Sequence, residues 1–220
     1  MTIPSITVSL LLILGFAFSS TAEIAPENVR ATLQAGNERF LNNTSKAHNW
    51  SEEKVKKTGT FGQSPSVAVL TCSDSRTPVE LIFDMGVGDM FVCRNAGGFD
   101  TPEVNATFEY GVAALGVHTL LVLGHTKCGA VTATLQGKPV PGNISLLTQS
   151  LRPGIEKIIK DNKDLSEEAK LNKAVEALTR YQMLEVLRNS ELLTKAKADG
   201  KLQILGAIYD VETGKVRFLD

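Results

Sequence analysis

The sequence predicts an α/β fold: a central, mostly parallel sheet of four strands plus a C-terminal edge strand, flanked by helices and preceded by an N-terminal helical arm. Three observations predict it. Short runs rich in apolar and β-branched residues at 67–71, 90–94, 118–124 and 202–209 read as buried strands. Segments of helical pattern separate them, as the crossovers of a parallel sheet require. At the carboxyl ends of the first and third runs the chain turns abruptly polar, at Cys72, Asp74 and Arg76 and again at His125 and Cys128. Open α/β sheets carry their chemistry just outside such strand ends.

Length and charge limit the alternatives. With 220 residues, 43% of them hydrophobic, the chain buries one substantial core, so residues 23–220 are expected to form a single domain. The balance of 23 basic and 24 acidic side chains, with no basic block, gives no electrostatic reason to expect nucleic acid as a partner.

Residues 1–22 differ from the rest. No charged side chain occurs between 2 and 21, an apolar centre covers 8–18, and Ser20, Thr21 and Ala22 supply small residues at a cleavage-site spacing. This reads as a secretory signal peptide cut after Ala22, which predicts an extracytoplasmic chain, periplasmic or secreted, without stable membrane insertion. An uncleaved membrane anchor and a buried N-terminal helix are the alternatives. Asn42, Asn43, Asn105 and Asn143 fit the short glycosylation pattern, although Asn105 falls inside a packed helix.

Residues 23–62 form the expected arm. Val29, Leu33 and Phe40 give a helix over 26–40 its apolar face, a short helix is expected at 51–57, and Trp50 is expected to dock the arm onto the core. After Arg76, Thr77 and Pro78 have the form of an N-cap and first helical residue, with Glu80 placed to reach back. Gly86 and Gly88 end that helix before the strand at 90–94. The following Gly97 and Gly98 suggest close backbone approach and not a phosphate loop. Thr101 and Pro102 repeat the cap pattern and open a helix to about residue 115. A helix over 129–135 follows the third strand. Residues 137–151, rich in Gly, Pro, Asn and Ser, read as a loop, and a largely polar helical region, interrupted near 163–165, runs to about 195. Residues 202–209 and 215–219 close the chain as a strand and a short hairpin arm.

Cys72, His125 and Cys128 sit where two strand ends would deliver ligands to one metal. Thiolate and imidazole select zinc among common ions, and a purely structural zinc normally takes a fourth protein ligand. A Cys72–Cys128 disulfide is the alternative in an exported chain, but it leaves His125 without a role. Cys93, within a strand, reads as an inert buried thiol. Ser75 has no base nearby and reads as an internal hydrogen-bond former.

Cys72-Ser73-Asp74-Ser75-Arg76 and His125-Thr126-Lys127-Cys128-Gly129 together resemble the two motifs of the β-class carbonic anhydrases. The resemblance extends through residues 88–92, 94–97 and 206–210 and so covers essentially the whole mature chain. It implies one zinc ion per chain on Cys72, His125 and Cys128, with water in the fourth position, or Asp74 there in a closed state. It further implies reversible hydration of carbon dioxide to bicarbonate and a proton by zinc-bound hydroxide, with Asp74 and Arg76 as a catalytic dyad. Gly129 is the candidate backbone donor to bicarbonate or another anion. Homodimers or dimers of dimers are also implied. Relatives reuse the same site on carbonyl sulfide or carbon disulfide; a silent structural-zinc or thiol-redox protein is the remaining class.

Overall fold

The computed structural model describes residues 24–46, 50–161 and 164–220. The leader expected at 1–22 lies outside the described residues, as does His48. Among the described residues no helix is long and apolar enough to cross a membrane.

Five strands make one sheet: β1 (Val67–Cys72), β2 (Met90–Asn95), β3 (Thr119–His125), β4 (Gln203–Tyr209) and β5 (Val216–Phe218). Their order is β2-β1-β3-β4-β5, with the first four parallel and β5 antiparallel at the edge, as the sequence predicts. The helices are α1 (Val29–Leu41), α2 (Glu52–Phe61), α3 (Val79–Ile82), α4 (Pro102–Leu115), α5 (Gly129–Gln136), α6 (Ile144–Asp161), α7 (Glu167–Arg188) and α8 (Glu191–Ala198).

Burial on both faces explains the unbroken apolar runs. Along β1, Val67 and Val69 join a core with Val29 and Leu33 of α1 and Ile82 of α3, while Ala68 and Leu70 join another with Phe108, Val186 and Leu193 of α4, α7 and α8. Each such Val, Leu, Ile or Phe side chain contributes about 1.5–3 kcal/mol through burial. The chain leaves β1 for β2 on one side and returns past β1 to β3 on the other. That reversal is the point where open α/β sheets form a crevice at their carboxyl ends, and it makes Cys72 and His125 neighbours.

The arm is anchored by α1. Val29 and Leu33 are buried, and Gly36 lies so close to α3 that an added Cβ would sit 1.8 Å from the Phe83 carbonyl oxygen. Asn37, only 5% exposed, donates to the carbonyls of Ile82 and Gly214 and accepts from the Val216 N–H. Trp50 does not dock: it is half exposed, and α2 buries none of its residues. Anchorage through α1 leaves the tryptophan with no core position to fill.

Two further expectations are corrected. Thr101 caps α4, accepting from the Val104 N–H, but Thr77 caps nothing; its buried hydroxyl turns back to the carbonyls of Cys72 and Asp74, and α3 begins at Val79. The loop expected over 137–151 ends early, because α6 starts at Ile144. Leu151 and Ile155, both fully buried, stand four residues apart on one face, and that apolar spacing outweighs the local turn-forming composition.

Candidate metal centre

Cys72 ends β1, His125 ends β3, and Cys128 immediately precedes α5. The strand order therefore brings together three ligands that the sequence holds far apart. One candidate ligand atom from each lies within 4.8 Å of the others, and all three residues are buried. Between His125 and Cys128 the chain reverses through Lys127, whose φ of 55° is left-handed. A cavity of about 10 Å³ touches all three ligands and is closed by Gly97, Val131 and Val175. That is room for about one water-sized species.

The protonation pattern suits a cation. His125 Nδ1 is 2.8 Å from the Thr126 carbonyl oxygen, so Nδ1 carries the proton and Nε2 presents its lone pair. Nε2 is buried and has no hydrogen-bond partner. Leaving such a group unsatisfied costs about 1–3 kcal/mol, which coordination would remove. The thiols are equally prepared. Cys72 Sγ accepts the N–H groups of Gly97 at 3.2 Å and Asp74 at 3.4 Å, and Cys128 Sγ receives those of Val131 and Ala130. A hydrogen bond from Cys128 pushes the Cys72 thiol well below its ordinary pKa, and Cys128, which keeps the shared proton in a buried position, is pushed up. A bound divalent ion would displace that proton. Two sulfurs and one imidazole nitrogen fit zinc, and three protein ligands leave a tetrahedral position open.

Asp74 faces this cluster. Its Oδ2 lies 3.9 Å from His125 Nε2, and Arg76 grips both carboxylate oxygens, Nε to Oδ1 at 2.9 Å and Nη2 to Oδ2 at 2.7 Å. The Arg76 backbone N–H adds a bond to Oδ1. The Arg76 side chain beside it holds the Asp74 carboxyl well below the usual carboxylate range, against partial burial that pushes it up. Asp74 is therefore ionised throughout the neutral range. Gly129 is exposed at the start of α5.

Several residues around the site had no such role in the sequence reading. Arg94 of β2 donates to the carbonyls of Cys72 at 3.1 Å and Asp74 at 2.7 Å and to Thr77 Oγ1 at 3.2 Å, bracing the turn that carries Asp74. A lone cation at the polar end of a strand was the available signal. Gly97, expected only to allow close approach, has φ 103° and an N–H aimed at sulfur; a Cβ there would lie 2.7 Å from Leu151 Cδ1. Ser75 is exposed, with no side-chain hydrogen bond among the described residues, contrary to the internal role expected of it, because its turn is held by Thr77 and Arg94 instead. Cys93 stands apart in β2, where burial pushes its thiol up, and all three cysteines are free. His118 precedes β3 and bonds the Ile24 carbonyl, at the opposite end of that strand from the ligands.

Known proteins match this arrangement. The family profile described as carbonic anhydrase matches residues 67–216. A carbonic anhydrase of Synechococcus elongatus is 34% identical over 163 residues, which are 70% of this chain and 60% of that protein. Carbonic anhydrase 2 of Mycobacterium tuberculosis is 31% identical over 193 residues, covering 86% and 90% of the two chains. Among solved structures, the β-carbonic anhydrase CafA of the fungal pathogen Aspergillus fumigatus superposes with a TM-score of 0.71 at 29% identity, covering 87% of this chain and 90% of that one. With the profile spanning most of the chain, and cysteine and histidine converging from neighbouring strand ends, the chain belongs to the β-class carbonic anhydrase family.

Proposed function

We propose that the protein catalyses the reversible hydration of carbon dioxide to bicarbonate and a proton, with one zinc ion per chain. The observation that carries this reading is the buried, unpaired Nε2 of His125 converging with two buried cysteines, opposite a carboxylate fixed by arginine. Cys72 Sγ, Cys128 Sγ and His125 Nε2 would hold the ion. Bound zinc lowers the pKa of water in its open position toward 7, which makes a nucleophile for carbon dioxide available at neutral pH. Asp74, ionised, accepts a hydrogen bond from the reacting water and so orients its lone pair. Arg76 holds both Asp74 oxygens in a fork that a lysine could not reproduce, and keeps the carboxylate from turning onto the metal position. Gly129 offers its N–H, at the first turn of α5, to the anionic product.

Stopped-flow carbon dioxide hydration tests the reading, with the protein reduced and its zinc content measured. Hydration that disappears in Cys72→Ser is expected. No hydration by the zinc-replete parent would contradict it and shift the reading to carbonyl sulfide or carbon disulfide.

We further propose that residues 1–22 are a signal peptide and that 23–220 act as one exported domain. The uncharged, apolar leader supports this. Mass spectrometry of the native protein should find Glu23 at the N-terminus; intact Met1 in a soluble cytoplasmic fraction would contradict export.

A further inference from the structure

We propose that the hairpin turn between β4 and β5 is a template for the metal-binding loop, and that Thr126 and Asp210 are positioning residues for His125. The proposal rests on the metal site described above, not on the substrate assigned to it. His125 is oriented by one bond, from Nδ1 to the carbonyl of Thr126, so the direction of Nε2 depends on how the 126–127 peptide is held. The loop does not hold that peptide by itself. Lys127 is left-handed without being glycine, a conformation that persists only where the surroundings enforce it.

The surroundings are the end of β4 and the turn after it. The Thr126 N–H donates to the Tyr209 carbonyl at 2.9 Å, continuing the β3–β4 ladder one residue past His125. Thr126 Oγ1 accepts from the Val211 N–H at 3.1 Å and donates to Asp210 Oδ1 at 3.4 Å. Lys127 Nζ pairs with Glu212 at 2.5 Å. The turn is itself rigid: Asp210 Oδ1 also accepts the N–H groups of Glu212 and Thr213, and its backbone bonds Lys215 and Gly214. From the far side, Asn37 of α1 holds Gly214 and Val216. A continuous set of hydrogen bonds thus runs from the arm through the turn to the peptide that aims His125. On the other flank the Lys127 carbonyl, in the next peptide of the loop, accepts from Arg76, so the loop also contacts the residue that restrains Asp74.

Thr126 and Asp210 touch neither the ligand atoms nor the open metal position. Their effect is therefore expected in metal affinity and ligand geometry. Zinc affinity is measured by competition with a chromogenic chelator, ligand geometry by the visible absorption of the cobalt(II)-substituted protein, and stability of the metal-free protein by thermal melting. Thr126→Val keeps the side-chain shape and removes the oxygen. It should weaken zinc binding about 10- to 100-fold and alter the cobalt spectrum, and Thr126→Ser should restore both. Asp210→Ala should act in the same direction, with Asp210→Asn, which keeps an acceptor oxygen, recovering part of the loss. A role confined to stability would lower the melting temperature and leave affinity and spectrum at parent values in Thr126→Val; that result would overturn the proposal. Should Asp210→Ala fail to fold, the Thr126→Val and Thr126→Ser pair decides. Absence of carbon dioxide hydration would contradict the proposed reaction while leaving these metal readouts intact.

Discussion

Cys72, Asp74 and Arg76 share one turn, yet their removal has separable consequences. Cys72→Ser takes away a sulfur ligand that two backbone N–H groups prepare, so metal content falls. Asp74→Ala leaves all three ligands in place; the protein should keep its zinc and lose about 10- to 100-fold in turnover. Arg76→Ala frees a carboxylate whose oxygen lies 3.9 Å from the ligating nitrogen of His125. The expected result is a slow enzyme whose rate recovers in part when Asp74 is also replaced, read by stopped flow at matched zinc content. A doubly substituted protein slower than either single variant would contradict that competition. The same pair sets a pH expectation. The Asp74 pKa is depressed in the folded state, so the contribution of the pair is complete above the ordinary carboxylate value of about 3.9 and is lost only as pH falls through the lower folded value. The Asp74 carboxyl carbon resonance should therefore keep the position of an ionised carboxylate from about pH 5 to pH 9. A protonation step of that carboxyl within the window would show that Asp74 is not held as described.

At the scale of elements, two Thr-Pro pairs show what sequence could and could not reveal. Thr101 is legible as a cap because its partner, the Val104 N–H, belongs to its own helix. Thr77 carries the same local signal, but its hydroxyl is claimed by the carbonyls of Cys72 and Asp74 and by Arg94 from the neighbouring strand. Thr101→Ala should accordingly cost about 1 kcal/mol in urea unfolding, with zinc affinity unchanged. Strands β1, β3 and β4 were readable because burial on both faces writes an apolar run directly into the chain. The start of α6 was not, since the Gly, Pro and Asn residues before Ile144 obscure a face whose burial of Leu151 and Ile155 is visible only in the fold. The metal ligands were readable because cysteine and histidine at polar strand ends have few other uses. Arg94 and Thr126 were not, because each acts through main-chain carbonyls or N–H groups of sequence-distant segments. Gly36 offers a test of the arm: an added methyl meets the rigid Phe83 carbonyl, so Gly36→Ala should destabilise the protein by more than the usual ~1 kcal/mol of an average substitution. Parent-like stability in urea would mean that α1 does not dock so closely.

For the whole molecule, four of the exposed apolar side chains lie on the arm or beside the centre. Trp50, Val55 and Phe61 lie on or next to α2, which buries nothing, and Leu81 is half exposed just after the Asp74 turn. We propose that a second copy of the chain covers them in a homodimer or a dimer of dimers. Light scattering should give a mass of two or four chains, and Phe61→Ser should shift it toward one; a monomeric parent at micromolar concentration would contradict the assembly. The sheet brings three protein ligands together at one point, and the proposed reaction needs them to hold zinc with its fourth position open. Elemental analysis combined with zinc-edge X-ray absorption, on protein purified under reducing conditions without added metal, tests it most directly. About one zinc per chain is predicted, with two sulfurs at ~2.3 Å and nitrogen and oxygen neighbours at ~2.0–2.2 Å. A metal-free protein joined by a Cys72–Cys128 disulfide, or a zinc shell of four protein ligands with no exchangeable position, would contradict it.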